Sequence, residues 1–285
     1  WCWGDGEDGE LGDGNTVDSF VPVQVAGLTD ARAVAVGDNF TCALKATGAV
    51  VCWGQGTFEA LGDGSPTGDL LVPTAVLQVA DAVAIGAGDS HACAVLAGGG
   101  VKCWGTGGFG RLGDGHADTR DIAVPVEPGY AGLDAAVAVE GGEEFTCALD
   151  AHQDVHCWGS NSSKRLGTGT SSFYTPVTAE SLSGVVELSV GRIHSCARLS
   201  DGTQKCWGYG ADKRFGVSTP SNTYPVDMLG LTGVVAIEAG DSMTCAMTAG
   251  GATVHCFGTN ADGELGRGYT STTEYYDVAE PVVGW

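Results

Sequence analysis

The chain has 285 residues, 47 of them Gly, with 43% hydrophobic and 17% charged residues and a formal net charge of −22. Such an acidic excess excludes the basic footprint of a duplex-binding protein, and no apolar run approaches the ~20 residues of a membrane-spanning helix. Hydrophobicity at this level excludes disorder, so the glycines mark turns in a folded chain, long enough for one large all-β domain.

The first strand-like segments fall at 21–25, 31–36, 40–45 and 49–53. Each is short, rich in Val, Ala or aromatics, and bounded by Gly, Asp or Thr turn signals. None carries a helical period over the ~10–12 residues a helix needs. The same order then recurs along the chain. Cys-Trp-Gly stands at Cys2, Cys52, Cys103, Cys157 and Cys206, and Cys256-Phe257-Gly258 is a sixth copy; the steps are 50, 51, 54, 49 and 50 residues. After each copy comes a Gly-rich turn with Leu-Gly, or Phe215-Gly216 in the fifth. A Pro then opens an apolar stretch (Pro22, Pro73, Pro125, Pro176, Pro225, Pro281), an alternating apolar run ends in Gly, and a second Cys closes the unit. Four strands per ~50-residue unit is the arithmetic of a propeller blade. The expected architecture is a single β-propeller domain over 1–285, all-β, of four-stranded antiparallel blades. Its units fall at 5–54, 55–105, 106–159, 160–208 and 209–258, and 259–285 with 1–4 form a split or partial blade. On this reading the chain, which starts at Trp1, is a mature or excised piece of a parent with six or seven blades.

Ten of the 11 cysteines fall into repeated pairs: Cys42 with Cys52, Cys93 with Cys103, Cys147 with Cys157, Cys196 with Cys206, and Cys245 with Cys256. A turn lies between the members of each pair. Facing residues on antiparallel strands sit ~4.5–5.5 Å apart, which suits a disulfide. Each pair is therefore expected to bridge the last two strands of its unit. Zinc knuckles need a closer spacing than these pairs show, and reduced, buried cysteines remain the alternative. Regular pairing in every repeat fits an oxidising compartment, so the expected location is secreted or at the extracellular surface. Cys2 is left unpaired, with its expected partner about ten residues upstream.

These slots resemble the regulator of chromosome condensation repeat family. A Gly-rich turn with Leu-Gly at 109–113, a Pro-Val strand at 124–126, an apolar strand ending in Gly at 137–142 and a strand closing on Trp-Gly at 155–159 carry the likeness, which extends over essentially the whole chain. The resemblance implies a β-propeller. Its members include a nucleotide-exchange factor for a small GTPase that binds chromatin, and secreted bacterial binders such as a β-lactamase inhibitor. The paired cysteines lean toward the secreted, bacterial-type branch.

Several positions are candidate sites. Asp5, Glu7, Asp8, Glu10 and Asp13 crowd one Gly-rich loop, with Asp262 and Glu264 at the matching place in the last copy; such oxygens suit calcium, although Asp and Gly are also what tight turns want. Gly88-Asp89-Ser90-His91 resembles a protease string, but Asn39, Glu144, Ile193 and Ser242 share the Ser90 slot. Phe40, Phe145, His194 and Met243 share that of His91, so His91 and His194 read as packing residues and no catalytic residue is assigned. Trp3, Trp53, Trp104, Trp158 and Trp207 read as a shared core. The connections before each Pro vary in length, and loops of one propeller face are where a binding function resides. Their candidate anchors are His116, Arg120, Lys164, Arg165, Phe173, Tyr174, Tyr269, Tyr275 and Tyr276, with Asp121 beside them. Two sequons begin at Asn39, placed in a strand, and at Asn161, placed in an accessible loop.

The expected function is an extracellular protein-binding, adhesion or scaffold propeller. It has a protein partner, no nucleic acid, no membrane insertion, no enzymatic activity and no cofactor apart from the calcium candidate. The alternatives are a structural subunit that self-assembles by sharing terminal strands, and an inhibitor of a secreted enzyme.

Overall fold

The structure, a computed structural model, describes residues 1–127, 133, 135–169, 171, 173–216, 221–228, 231–249 and 253–282; over 272–281 it describes the backbone alone. Two strands come first, β1 (Cys2–Gly4) and β2 (Ser19–Val23), forming a two-stranded antiparallel sheet. Five four-stranded antiparallel sheets follow. Blade one holds β3 (Ala31–Val36), β4 (Phe40–Lys45), β5 (Val50–Gly54) and β6 (Leu70–Ala75). Blade two holds β7 (Ala82–Ala87), β8 (His91–Leu96), β9 (Val101–Gly105) and β10 (Arg120–Pro125). In blade three are β11 (Ala136–Gly141), β12 (Phe145–Asp150), β13 (Val155–Gly159) and β14 (Phe173–Thr178). Blade four contains β15 (Val185–Val190), β16 (His194–Leu199), β17 (Gln204–Tyr209) and β18 (Ser221–Asp227). Blade five contains β19 (Val234–Ala239), β20 (Met243–Thr248), β21 (Thr253–Asn260) and β22 (Ser271–Pro281). The first strand of each blade packs on that of the next, and the ends of all five meet around one axial pocket, so the sheets form a β-propeller.

The sheets are offset by one strand from the sequence units. The Pro-containing strand, expected to open each blade, instead closes it on the outside. Proline has no N–H to give to a ladder, so it is tolerated at an edge whose outer side is unpaired and not between two strands. The offset changes the partial blade. The strand over 271–281 completes blade five beside β21, and 1–4 pairs with Ser19–Val23; among the described residues the two ends do not share a sheet.

All five cysteine pairs are disulfides, at Cys42–Cys52, Cys93–Cys103, Cys147–Cys157, Cys196–Cys206 and Cys245–Cys256, each with Cα atoms 4.1 Å apart. Each joins directly opposed residues on the two middle strands of a blade, as in the Cys147↔Cys157 register. Cys2 is free.

The tryptophans explain how blades stack. Trp53, Trp104, Trp158 and Trp207 are almost wholly buried, and each indole N–H donates to a carbonyl in a loop of the preceding sheet: Glu10, Ala60, Arg111 and Arg165, at 2.7–2.9 Å. Phe257 fills the same slot without a donor. Trp3 departs from this pattern, being 63% exposed. The glycine after each aromatic is required by conformation and space together. Gly159 has φ +104°, and a Cβ there would lie 2.5 Å from the Glu144 carbonyl oxygen.

Candidate functional site

Register decides which loops share a face. Phe40 pairs with Gly54 and Phe145 with Gly159, so the short turn between the first two strands of a blade and the long loop after the third emerge at the same end. That face therefore gathers the axial turns 37–39, 88–90, 142–144, 191–193 and 240–242 and the loops of variable length. The axial pocket, 470 Å³, is lined by Gly37, Gly88, Gly142, Gly191 and Gly240 together with Asp38, Asp89, Arg192 and Asp241, and Glu143, which follows Gly142, pairs with Arg192 from the adjoining cavity. One guanidinium thus stands among four carboxylates. Arg192 Nη2 donates to Glu143 at 3.0 Å, and its Nε lies 3.4 Å from Asp89. Burial, and then the neighbouring Asp38, push the Asp89 carboxyl above its ordinary range, opposed by Arg192.

A second cavity, 310 Å³, opens beside these charges among the turns of blades one to four. Asp38, Asp89, Glu143 and Arg192 form one wall, Arg111 the floor and Phe58 the rim. Arg111 donates to the Ser90 hydroxyl and the Glu143 carbonyl. Phe58 and Phe109, on adjacent loops of this face, are about half exposed. Neither was among the sequence candidates. The signal was present in the repeat, because their slot, three residues before Leu-Gly or its equivalent, holds Asp8, Ser163, Asp212 and Asp262 elsewhere.

The structure distributes the predicted loop residues unequally. His116, Lys164, Tyr174 and Tyr269 are exposed on this face. Arg120 is held by Asp114, with Nε and Nη2 donating to one carboxylate oxygen at 2.9 and 2.7 Å, and Phe173 and Asp121 are half-buried. Arg165 is buried and is not an interface anchor. Its guanidinium turns inward over the Phe145 ring at 5.6 Å, with Glu144 3.6 Å away. Arg111, Arg165 and Arg214 occupy one slot in three successive units; Arg111 and Arg214 donate to the Glu143 and Asp241 carbonyls in the axial turn of the next blade, whereas Arg165 lies beside Glu144 in the turn of its own blade. Tyr275 and Tyr276 fall on β22, and their side chains lie outside the described residues.

The acidic loop is used by its own turns. Asp5 accepts from the Glu7 N–H, Glu10 from the Asp8 N–H, Asp13 from the Asn15 N–H, and Asp8 from the Gln55 amide. Glu7 is exposed, and Glu264 accepts from the Asp262 N–H. Among the described residues no group of three or more His, Cys, Asp or Glu gathers where a metal ion sits. The sequons exchange roles. Asn39 is exposed in a turn before β4, whereas Asn161 is buried and braces its loop, accepting from the Leu166 N–H and donating to the Thr168 carbonyl. Asn260 makes the equivalent pair of bonds in the last copy.

His91 and His194 are wholly buried between blades, and both make a hydrogen bond that sequence reasoning missed. His91 Nε2 lies 2.8 Å from the Thr146 hydroxyl of the next blade, which itself donates to the Arg111 carbonyl, so the imidazole is the donor. His194 Nε2 lies 2.9 Å from Thr244. Where the slot holds Phe40 or Phe145, the next blade offers Ala92 or Ser195 instead of Thr. Both Nδ1 atoms lack a partner. Burial, reinforced by Arg111 and Arg214, pushes both imidazoles down to about 3. The unfolded chain then binds more protons than the folded chain between about pH 3 and 6.5, so stability falls as pH drops through that window. Each imidazole contributes a slope of about 1.4 kcal/mol per pH unit there. Denaturant unfolding of His91→Gln/His194→Gln is expected to show a shallower acid limb than the parent, and equal slopes would refute the buried neutral pair.

Comparison with known proteins follows the repeat. Models of the regulator of chromosome condensation (RCC1) repeat match residues 1–44 and 153–198, and 31–59, 82–111 and 136–164. Human E3 ubiquitin-protein ligase HERC2 is 34% identical over 208 residues, 68% of this chain. The chain belongs to the RCC1 repeat family. It spans 4% of the length of that ligase and 38% of the Arabidopsis thaliana ultraviolet-B receptor UVR8, to which it is 36% identical over 59% of its own residues. Among solved structures, yeast RCC1 (Prp20) bound to Kap60 superposes with a TM-score of 0.84 at 21% identity, covering all of this chain and 72% of that one. That likeness concerns the fold. Within this RCC1-repeat propeller the loop-bearing face is where the units differ most, and the buried stacking residues are where they agree. Among the described residues no helix is long and apolar enough to cross a membrane.

Proposed function

We propose that this RCC1-repeat chain is an extracellular protein-binding propeller that engages its partner through the loop face around the axial pocket, as a binding or scaffold module and not an enzyme. The observation that carries this reading is the cleft beside the axial charges, with Phe58 on its rim and Phe109 on the adjoining loop: half-exposed aromatics beside a concave, charged wall are what a protein interface uses as anchors. One disulfide in every complete blade supports an oxidising compartment. Related repeats occur in a ubiquitin ligase and in a receptor. The net charge of −22 favours a partner with basic side chains and makes association salt-dependent. Inhibition of a secreted enzyme is a special case in which that enzyme is the partner.

The test compares the immobilised chain with Phe58→Ala/Phe109→Ala and with Ala97→Lys on the opposite face, against extracellular and cytosolic fractions of the source organism. Retention of an extracellular protein, lost in the aromatic variant and kept in Ala97→Lys, is the expected result. Equal retention by all three chains, or a partner found in the cytosolic fraction alone, defeats the reading.

A further inference from the structure

The cavity beside the axial pocket holds a guanidinium with an unused donor. Its lining comes from blades one to four, which follow one another in the chain. Arg111, 7% exposed, forms the floor. It is posed like Arg214, two units on: in both, Nε donates to the carbonyl three residues back, Gly108 or Ala211, and Nη1 to an axial-turn carbonyl of the next blade, Glu143 or Asp241. The two part at Nη2. Arg214 Nη2 donates to Asp212 at 2.9 Å, and Arg165 Nη2, in the unit between, to the Ser162 hydroxyl at 3.1 Å. The corresponding residues before Arg111 are Gly108 and Phe109, whose side chains accept nothing. Among the described residues Arg111 Nη2 has no acceptor and Arg111 makes no ion pair, and Nη2 is not sealed from solvent. A charged donor on a nearly buried side chain calls for an acceptor oxygen.

The wall has the opposite sign. Asp38 and Asp89 stand on adjacent turns tied by a hydrogen bond from the Asp38 N–H to the Asp89 carbonyl, 3.0 Å. The turns of Glu143 and Arg192 are tied in the same way, at 2.9 Å, but those two side chains neutralise each other. Asp38 and Asp89 repel, and that repulsion adds to burial in raising the Asp89 carboxyl. With Glu143 and Glu144, four carboxylates line the cavity against the guanidiniums of Arg111 and Arg192. A simple anion would meet that acidic excess. A lysine side chain would bring a second cation to Arg111 and leave Nη2 unmet. An ammonium with an acceptor oxygen close beside it satisfies both.

We propose that this cavity takes the amino terminus of a partner polypeptide, with its α-ammonium at Asp38 and Asp89, its first carbonyl oxygen on Arg111 Nη2 and its first side chain against Phe58. A volume of 310 Å³ lies at the small end of ligand pockets, with room for a terminal residue or two and not for a folded segment. The inference rests on the loop face being the partner-binding face, and names the group of the partner that enters it. A free amino acid offers the same ammonium and oxygen, so the test separates the two sources.

The probes are tetrapeptide amides X-Ala-Ala-Ala, with each standard residue at X, in free and N-acetylated forms, and the free amino acids, titrated by calorimetry into the native chain. At least one free-amino peptide is expected to bind with a Kd below about 1 mM, and acetylation to weaken it at least about tenfold. The matching free amino acid should bind more weakly, because its carboxylate faces the acidic wall. Phe109→Asp restores the acceptor that Arg214 finds in Asp212, at a backbone position of nearly the same φ, 60° against 64°. It should weaken the peptide at least about tenfold although it adds a negative charge, whereas Phe109→Gly, which adds no acceptor, should keep the binding. Absence of binding by any peptide, equal binding of the acetylated forms, binding that persists in Phe109→Asp, equal loss in Phe109→Gly and Phe109→Asp, or a free amino acid that binds as tightly as its peptide would each overturn the proposal. None of these results bears on whether the partner is retained by the Phe58→Ala/Phe109→Ala chain, so the loop-face reading stands or falls separately.

Discussion

Reduction of the five disulfides is expected to lower the melting temperature by roughly 20 °C, because each closes a loop of about 11 residues and contributes roughly 2–3 kcal/mol in the chain-entropy model. Their sequence separations are 10, 10, 10, 10 and 11, so the contributions are nearly equal and no single blade dominates. The sum, about 10 kcal/mol or more, is comparable with the whole net stability of an ordinary domain. The sulfurs lie in the middle of each sheet, and most of these cysteines are buried to within 1%. The bonds therefore become accessible to a reductant mainly when a blade opens, and reduction should follow local unfolding. The measurement is a calorimetric melt before and after treatment with a phosphine reductant, with intact mass confirming the gain of ten hydrogens expected for five bonds. A melting point that does not move once that gain is confirmed would show that stacking alone holds the propeller, and would remove the energetic argument for an oxidising compartment. Replacing one pair, as Cys147→Ala/Cys157→Ala, should cost about one fifth of the total, close to 2–3 kcal/mol.

The second large effect separates two tryptophans that look alike in sequence. Trp158→Ala should destabilise the chain by about 4–5 kcal/mol, since truncating a fully buried indole leaves a cavity and also orphans an acceptor. Trp158 packs with Leu112, Val126, Val139 and the Cys93–Cys103 bond between blades two and three, and its Nε1 donates to the Arg111 carbonyl at 2.9 Å. That carbonyl also accepts from Thr146, which in turn accepts from His91, so the substitution loosens a chain of bonds spanning both blades. Trp3→Ala, in the same slot of β1, removes a side chain that is 63% exposed and should change stability by less than about 1 kcal/mol. Urea unfolding of the two variants decides the matter. Similar losses for both would mean that the open side of β1 is covered in solution by something that buries Trp3.

The sequence alone determined the architecture. A ~50-residue period with four strand-like segments and one Cys-Trp-Gly per unit admits few folds, because repeated units bury their apolar faces against one another. It also determined the disulfide pairing, because residues flanking a short turn on antiparallel strands face each other. It identified Trp53, Trp104, Trp158 and Trp207 as core, and His91 and His194 as buried packing positions. The tertiary structure decided what depends on neighbours distant in the chain. Which strand is outermost is fixed by hydrogen bonding between units, and a period read along the chain has no phase; the missing N–H of the recurrent Pro was the local clue that sets it. Exposure was likewise beyond the sequence. Arg165 and Lys164 are adjacent and similarly charged, yet one turns inward over Phe145 of its own blade and the other faces solvent. Trp3 and Trp158 share a motif and differ only in whether a blade stands beside them. The charges of Asp38, Asp89, Glu143, Arg192 and Asp241 come from five turns about fifty residues apart, and only the stacking of the blades around one axis brings them to the axial pocket and the cavity beside it.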